Sequence, residues 1–385
     1  MPGLMQGRGK ALLLSIAILI TAGAAAVEAW RWSHPTMHRA TPAVSVGGQA
    51  VDVELKELSR SLIPMPPDTP SAHASTLATL PGEHMLAFWW AGSRESGPNV
   101  KVYASRWSGS SWSAAWEVAS RDSLARELGF GVRRIGNPVA WTDHRGTIHL
   151  YVVATGLGGW AASRIVHLSS TSEGARFAVR RVLPLSPMFN TSALVRTSPV
   201  GLTDGGWWLP AYFEMGIKYP MMISFDPEGE PKWFARIGES DSTLQPTIAA
   251  ISASEVRAWM RDASDDKRVQ QALSRDGGEN WEDLPALDLP NDNTSLATVR
   301  LASGKFLMLH NHVVAGGSSR SILRLSSSSD AHTWEHVVDI AKGSAGDEFS
   351  YPTLQQVGDE LHVTYTHQRQ AIAHHRFRIH SSASP

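Results

Sequence analysis

The feature that most constrains this chain is an eight-residue motif that recurs along it in decaying copies. The best copy, Ser274-Arg-Asp-Gly-Gly-Glu-Asn-Trp281, reads S-x-D-x-G-x-x-W. Four partial copies begin at other serines: Ser105, Ser170, Ser224 and Ser327. Successive serines are 65, 54, 50 and 53 residues apart. A period near fifty residues predicts one supersecondary unit that is copied around a closed or stacked array.

The chemistry of the motif indicates a structural role. Asp, Gly and a small polar residue are what a tight hairpin turn requires. The aspartate can accept hydrogen bonds from nearby backbone N–H groups, and the tryptophan can cover apolar surface beneath the turn. We therefore expect the motif copies to stabilise turns and not to bind a ligand.

Short apolar runs preceded by turn residues dominate the region between the copies. His84–Trp90 follows Leu80-Pro-Gly82, and Thr147–Val153 follows Asp143-His-Arg-Gly146. This is the pattern of strands joined by turns, and long amphipathic helical stretches are scarce. About six periods fit into the roughly 315 residues that follow residue 70. The sequence thus predicts an all-β fold, a six-bladed β-propeller with the repeated motif at its hairpin turns, because a β-sandwich would not explain the repeat.

The N-terminal region differs from the rest of the chain. Residues 1–29 combine a basic start with a nearly uncharged apolar run, which indicates a signal peptide or an N-terminal membrane anchor. Residues 30–70 are polar and Pro-rich and are interpreted as a linker with one strand near residues 50–55. Residues 71–380 form the predicted propeller. We expect export to the periplasm or beyond, or anchoring in the inner membrane; the absence of cysteine fits either location.

Composition limits the possible partners. The formal charge of −1 shows no basic excess, so no nucleic-acid partner is predicted. The sixteen histidines show no spacing that is typical of a metal site, and no phosphate-binding loop occurs, so we expect neither metal nor cofactor. Fifteen tryptophans offer flat faces of the kind that pack against sugar rings, although the repeated turns account for several of them.

Five such motifs in an exported all-β chain resemble the sialidase (neuraminidase) superfamily, in particular its bacterial neuraminidase repeat (BNR, Asp-box) branch. The resemblance covers about residues 72–377 and includes further segments: Gly92-Ser-Arg94-Glu95, Leu289-Pro-Asn-Asp-Asn293 and His310-Asn311. It implies an exo-glycosidase in which three arginines clamp the carboxylate of the sugar and an acidic side chain serves as acid/base. A tyrosine attacks the anomeric carbon in that family, and a glutamate takes its proton.

Four residues match roles that the resemblance implies. Arg261 lies where the second clamp arginine is expected, about a dozen residues before the best motif copy, and Arg320 precedes the strand into the Ser327 copy, as the third clamp arginine does. Tyr351, between the last copy and the closing strand, matches the nucleophile. Glu95 falls near the acid/base position.

Two positions depart from the family pattern. His73 stands at the place of the first clamp arginine, and Gln245 stands where the glutamate partner of the tyrosine is expected. Glutamine cannot take a proton from tyrosine, so Glu214 is considered as a substitute base. A neutral imidazole at His73 could act as a base or bind a sugar hydroxyl near pH 7.

The candidate site from sequence therefore has two parts. Its catalytic candidates are Tyr351, Glu95, Glu214 and His73. Its substrate-binding candidates are these: Arg261, Arg320, Gln245, Arg94, Asn293 and Asn311. Three functions are compatible with them: an exported exo-glycosidase that acts on sialic or related ulosonic acids in glycans, a propeller polysaccharide lyase that acts on uronates, and a carbohydrate-binding envelope protein without turnover.

Overall fold

The architecture is a six-bladed β-propeller, as the repeat predicts. The structure, a computed structural model, describes residues 3–33, 40–43, 50–185, 190–313 and 318–381. Within these ranges, six antiparallel sheets follow one another, and each is a meander except for the last, which combines both ends of the propeller region. The fold class that the sequence predicted is therefore confirmed.

The N-terminal part contains one helix and one strand. Helix α1 (Gly3–Ser33) carries exposed apolar side chains such as Leu13 and Leu19. Within the described segments, no helix combines the length and the mean hydropathy that a membrane crossing needs. Strand β1 (Val53–Leu62) lies in the stretch that was interpreted as a linker, yet it belongs to the sixth blade.

The first three blades follow in chain order. The strands of the first blade are β2 (Ser71–Thr79), β3 (Met85–Gly92), β4 (Lys101–Trp107) and β5 (Trp116–Ser120). A short helix, α2 (Arg121–Leu128), leads to the second blade. The second blade has β6 (Arg134–Thr142), β7 (Ile148–Thr155), β8 (Ser163–Ser170) and β9 (Ala178–Val182). The third has β10 (Ala193–Val195), β11 (Val200–Gly201), β12 (Trp207–Met215), β13 (Ile217–Phe225) and β14 (Pro231–Arg236).

The last three blades repeat the arrangement. The fourth blade has β15 (Thr243–Ala250), β16 (Val256–Asp262), β17 (Gln270–Ser274) and β18 (Glu282–Leu284). The fifth has β19 (Ala297–Arg300), β20 (Phe306–Asn311), β21 (Ile322–Ser328) and β22 (Glu335–Lys342). The sixth has β23 (Phe349–Val357), β24 (Glu360–His367), β25 (Ala371–Ser381) and, at its outer edge, β1.

Each blade is buried on both faces, which explains why its strands read as apolar runs without strict alternation. Consecutive residues of one strand face different adjacent blades. On β12, Trp207 packs in a cluster with Tyr151 of the second blade, whereas Trp208 packs in a cluster with Met260 of the fourth. Similar clusters lie between all other adjacent blades, including the first and the sixth.

Backbone hydrogen bonds close the ring in addition to this packing. Strand β1 pairs antiparallel with β25, from Val53 opposite Ser381 to Leu62 opposite Ala373. Strand β25 in turn pairs with β24. The sixth blade is therefore completed by a segment from before the first blade, and separation of the first and last blades requires this ladder to break.

The repeated motif forms the turn between the third and fourth strands of a blade. In the best copy, the Ser274 hydroxyl donates to Asp276 Oδ1 (2.8 Å), and the backbone N–H of Gly278 donates to Ser274 Oγ (2.8 Å). The backbone N–H of Asn280 donates to Asp276 Oδ1 (2.9 Å), and Trp281 Nε1 donates to the Gly278 carbonyl (2.9 Å). Polar groups of the turn are thus paired within the turn itself.

The glycine of the motif has a second role in packing between blades. Gly174, with φ +84°, lies so close to the first blade that a Cβ would stand 2.3 Å from Leu86 Cδ1. Gly109, the corresponding glycine of the first blade, has φ +93° but nothing within 4 Å of such a Cβ. The left-handed backbone favours glycine at both positions, whereas close approach requires it only at Gly174.

This pair gives a matched test of the fold. We expect Gly174→Ala to destabilise the protein by more than Gly109→Ala, because both pay the left-handed backbone cost of about 1 kcal/mol or more and only Gly174→Ala overpacks Leu86, for roughly 1–3 kcal/mol more. Urea unfolding of the two variants measures the difference. Equal losses for the two variants would contradict the assigned packing role.

Candidate functional site

The site is built on irregularities in the inner strands of the blades. Strands β15 and β23 carry bulges, between Leu244 and Thr247 and between Ser350 and Thr353. Strand β2 carries a bulge at the same level, between His73 and Thr76. The backbone is left-handed at Ala74 (φ 60°), Gln245 (φ 50°) and Tyr351 (φ 53°). Bulges re-aim side chains at the ends of strands, and here they bring residues of distant blades together.

Tyr351 is at the centre of the resulting cluster. Gln245 Nε2 lies 3.5 Å from its hydroxyl oxygen, and Arg261 Nη1 lies 3.4 Å from the same atom. The His73 ring packs on the Tyr351 ring with 4.0 Å between centroids. Gln245 Nε2 also donates to the hydroxyl of Tyr212 (3.3 Å). Three residues that the sequence singled out for the site thus each contact a fourth, Tyr351.

Two further guanidinium groups face the same tyrosine. The Arg196 guanidinium carbon lies 5.1 Å from the centre of the Tyr351 ring, and that of Arg320 lies 5.9 Å from it. Arg261 is held by Asn293, whose Oδ1 accepts from Arg261 Nε (2.7 Å). Three cations therefore surround one phenol, an arrangement that favours an anionic ligand or an anionic side chain.

Glu348 connects the arginines on one side of the cluster. Its Oε1 accepts from Arg320 Nη1 (2.7 Å) and from the Ser350 hydroxyl (2.6 Å), and its Oε2 accepts from Arg369 Nε (2.8 Å). Burial raises the pKa of Glu348, but these hydrogen bonds and charges outweigh burial and hold the pKa below its usual value. A second bond of Arg369 goes to Glu95, so this ion-pair chain spans the first, fifth and sixth blades.

His73 is a buried, neutral group in this environment. Its side chain is 2% exposed and also contacts Trp90, with 5.6 Å between ring centroids. Among the described residues, neither ring nitrogen has a hydrogen-bond partner. Burial, followed by the charge of Arg369 and of the other arginines, lowers the pKa of His73 well below its usual value. A neutral imidazole with unpaired nitrogens is suited to bind a ligand hydroxyl or to accept a proton.

The two tyrosines of the cluster differ in acidity. Burial opposes ionisation of Tyr351, but the charge of Arg261, the hydrogen bond from Gln245 and the charges of Arg320 and Arg196 lower its pKa below the usual value. Burial and the neighbouring Tyr351 raise the pKa of Tyr212 above the usual value. Tyr351 is therefore the more readily ionised of the two phenols.

The remaining sequence candidates lie around or beneath the cluster. Glu95 and Arg94 are exposed on the loop after β3. Glu214, the candidate substitute base, is exposed near the end of β12. Among the described residues, the side chains that hydrogen-bond to the Tyr351 hydroxyl are instead Gln245 and Arg261. Asn311 is fully buried, and its Nδ2 donates to the carbonyls of Ile322 (3.1 Å) and Phe349 (2.7 Å). Asn311 thus supports the strand that carries Tyr351.

Sequence reasoning missed four residues of the cluster: Arg196, Tyr212, Glu348 and Arg369. One signal was available for Arg196, since Leu194-Val-Arg196-Thr-Ser-Pro resembles the inner-strand segments Leu244-Gln-Pro246 and Ser350-Tyr-Pro352. Arg369 had no such signal. It lies in a turn without glycine, and only the fold brings that turn next to the first blade.

A group of three or more metal-ligating side chains does not occur in the part of the chain that the structure describes. The side chains of the site offer a phenol, an imidazole, carboxyl groups and guanidinium groups. These groups can bind an acid, accept or supply a proton, and attack an electrophilic carbon.

Comparison with known proteins places the chain in a family. The sequence model of the BNR repeat-like domain matches residues 83–363, and the chain belongs to that family. The resemblance to the sialidase superfamily and its BNR branch is thereby confirmed. A search of curated protein sequences gives no significant match.

Solved structures share the fold at low sequence identity. The Hadza microbial sialidase Hz136 aligns with a TM-score of 0.67 and 15% identity over 82% of this chain and 66% of that chain. A protein of unknown function from Dyadobacter fermentans aligns with a TM-score of 0.65 and 15% identity, over 85% of this chain and 99% of that one. The Trypanosoma rangeli sialidase in complex with sialic acid aligns with a TM-score of 0.61 and 15% identity, over 86% of this chain and 59% of that chain. These similarities establish the propeller fold, and this chain spans about two thirds or less of both sialidases.

Glu348 offers a test of how the cation cluster is organised. We expect Glu348→Gln to destabilise the protein by roughly 1–3 kcal/mol, because the bonds to Arg320 and Arg369 lose their charge. We also expect it to weaken binding of an acidic sugar, since the carboxylate that orients both guanidinium groups is then replaced by a neutral amide. Isothermal titration calorimetry with N-acetylneuraminic acid and with glucuronic acid, together with urea unfolding, measures both effects.

Glu360 provides the matched control. It also accepts hydrogen bonds from two arginines, Arg376 (2.9 Å) and Arg378 (3.1 Å), in the sixth blade. We expect Glu360→Gln to cost similar stability without changing sugar binding. Equal binding by both variants would show that Glu348 does not organise the site.

Proposed function

We propose that this protein is a sialidase-like exo-glycosidase that removes an acidic sugar, a sialic or related ulosonic acid, from a glycan. The observation that carries the proposal is the Tyr351 hydroxyl, with Arg261 at 3.4 Å and with Arg196 and Arg320 beside its ring. In these sugars a carboxylate is attached to the anomeric carbon. The carboxylate needs such cations, and the anomeric carbon itself needs a nucleophile. The sialidase fold of the chain supports the same assignment.

Binding would use the arginines at the rim of the cluster. Arg261 and Arg320 would hold the sugar carboxylate, as planar guanidinium groups pair well with carboxylates. Arg369 lies on the other side of Glu348 and would contribute a third cation. Arg369 also donates a hydrogen bond to Glu95. A bound carboxylate would compete with Glu95 for that guanidinium.

The chemical step would form a bond between the Tyr351 oxygen and the anomeric carbon and break the glycosidic C–O bond, and the Tyr351 proton would pass to solvent. Glu95 would give a proton to the leaving oxygen. Water would then attack the anomeric carbon and give a proton to Glu95, and the bond from that carbon to Tyr351 would break. Glu95 would be free to approach the leaving oxygen once the ligand displaces it from Arg369. The neutral His73 would bind a sugar hydroxyl.

The test of this function uses Tyr351→Phe. The full chain is incubated with sialylated glycans, and free sugar is measured. We expect the wild type to release sialic acid, and Tyr351→Phe to lower the rate by at least about a hundredfold, because the attacking oxygen is absent.

Tyr365→Phe is the control for this experiment. Tyr365 is a buried tyrosine of the same blade, and its hydroxyl pairs with His375 Nε2 (3.2 Å) and not with the site. Its substitution should leave the rate within a few-fold of wild type. Full activity of Tyr351→Phe would exclude the proposed nucleophile, and the absence of sugar release by the wild type would reject the hydrolase.

A second candidate function, elimination from a uronate-containing polysaccharide, is favoured by one observation. Gln245 and not a carboxylate contacts Tyr351, and the neutral His73 packs against the same ring. In such a lyase, one of His73 and Tyr351 would remove the proton next to the uronate carboxyl group. The other would protonate the leaving oxygen, and an arginine would neutralise the carboxylate. Growth of ultraviolet absorbance from an unsaturated product, without uptake of water, would identify this reaction. Glycan binding without either product would identify a carbohydrate-binding protein without turnover.

Export is part of the proposal. It is supported by the basic start and the apolar run within residues 1–29, and by the exposed apolar side chains of α1. Cell fractionation of the full chain, with mass spectrometry of its N-terminus, would show whether the protein leaves the cytoplasm and whether the segment is cleaved.

A further inference from the structure

Arg196 is a buried cation without a counter-ion. It follows β10 and is 2% exposed. Its Nη1 donates to the Ser75 carbonyl (3.2 Å) and its Nη2 to the Pro352 carbonyl (2.8 Å), while its Nε has no hydrogen-bond partner. Within the described ranges, no carboxylate forms an ion pair with it. Burial lowers the pKa of Arg196 to about 10, which still leaves it charged at neutral pH.

A buried charge without an opposite charge is costly. Neutral carbonyls stabilise the guanidinium only in part, so an anion nearby would be strongly favoured. Tyr351 can become such an anion, and its ring centre lies 5.1 Å from the guanidinium carbon.

The contacts of the Tyr351 hydroxyl are consistent with an anion. Both groups that contact its oxygen, Gln245 Nε2 and Arg261 Nη1, are hydrogen-bond donors. Among the described residues, no acceptor is paired with a Tyr351 proton. A neutral phenol would leave its own hydrogen unbonded, whereas a phenolate uses both donors.

The charged and titratable groups around Tyr351 come from several blades. They are His73 on β2, Arg196 after β10, Tyr212 on β12, Arg261 on β16 and Arg320 before β21. His73 is neutral and Tyr212 is protonated, as burial favours the neutral form of each. Glu348 directly precedes the strand of Tyr351, and it accepts hydrogen bonds from Arg320 and Arg369. The balance of charge that faces Tyr351 is therefore positive.

We propose that Tyr351 is held as a phenolate at neutral pH by Arg196 and Arg261, with Arg196 as a positioning residue that acts from beneath the ring. In this arrangement the arginines replace a carboxylate base. The proton of Tyr351 passes to solvent before a ligand binds, and no side chain has to store it. This explains why a glutamine at position 245 is compatible with a reactive tyrosine.

The consequence for catalysis rests on the proposed function. A phenolate is a stronger nucleophile and a stronger base than a phenol, so it would serve either hydrolysis or elimination. Its negative charge would repel an acidic ligand if it stood alone. Arg196, Arg261 and Arg320 offset that repulsion.

The ionisation of Tyr351 can be measured without a substrate. The chain has six tyrosines, and labelling their Cζ atoms with carbon-13 gives up to six resonances that report protonation. Tyr351→Phe identifies the resonance of interest. We expect this resonance to titrate below about pH 7, as a phenolate at neutral pH requires, whereas an ordinary tyrosine titrates near pH 10.

Arginine variants test the cause. We expect Arg261→Gln and Arg196→Met each to raise the midpoint of the Tyr351 titration by about one pH unit or more. Arg236→Gln is the matched control, since Arg236 stands 4.8 Å over the ring of Tyr219, outside the site. It should leave the Tyr351 midpoint unchanged. If Arg196→Met does not fold, Arg261→Gln and Arg320→Gln decide.

Two outcomes would overturn the inference. One is a Tyr351 midpoint above about pH 7 in the wild type, as expected if the Gln245 amide presents its oxygen to the phenol. The other is a low midpoint that Arg261→Gln does not move. Because no substrate is involved, a low midpoint in a protein that cleaves no glycan rejects only the proposed function. An ordinary midpoint in an active enzyme rejects only the phenolate.

Discussion

The bulges in the inner strands are the constraint on which the rest of the structure depends. Each bulge removes backbone carbonyls from the sheet ladder in a buried region, where an unpaired carbonyl is costly. Side chains from other blades supply the missing donors. Arg196 donates to the carbonyls of Ser75 and Pro352, Thr353 Oγ1 donates to Ser75 (2.7 Å), and Thr197 donates to Pro246. The same bonds that repair the sheets therefore hold the site together.

The electrostatics of the site follow from this repair. The Arg196 guanidinium lies beneath the inner strands and donates hydrogen bonds to their carbonyls. It also carries a buried positive charge, which a nearby anion would offset. Glu348 accepts hydrogen bonds from Arg320 and Arg369 and fixes both guanidinium groups at the same site. The left-handed backbone at Gln245 and Tyr351, unusual for residues with side chains, is stabilised because both segments are bonded on several sides.

Much of the fold could be predicted because its signals are local and periodic. The spacing of the serines predicted six blades, and the apolar runs predicted strands. The outer strand Val53–Leu62 was missed in part, as an exposed strand reads like a polar linker. For the site, alignment of the chain on its motif copies selected His73, Gln245, Arg261 and Tyr351, and the first three each contact Tyr351. Arg196, Glu348 and Arg369 were missed, because their contacts join segments far apart in the chain.

The sequence by itself determined that the chain is a propeller and how many blades it has, since a repeated turn with a glycine and an aromatic residue reports a unit that must pack against its own copies. Only the tertiary structure decided which charges meet. Glu95 is adjacent in sequence to Arg94 but pairs with Arg369, and Arg196 bonds the carbonyls of the first and sixth blades. Turn chemistry acts between neighbours in the chain, whereas the balance of buried charge is set by groups that closure of the ring brings together.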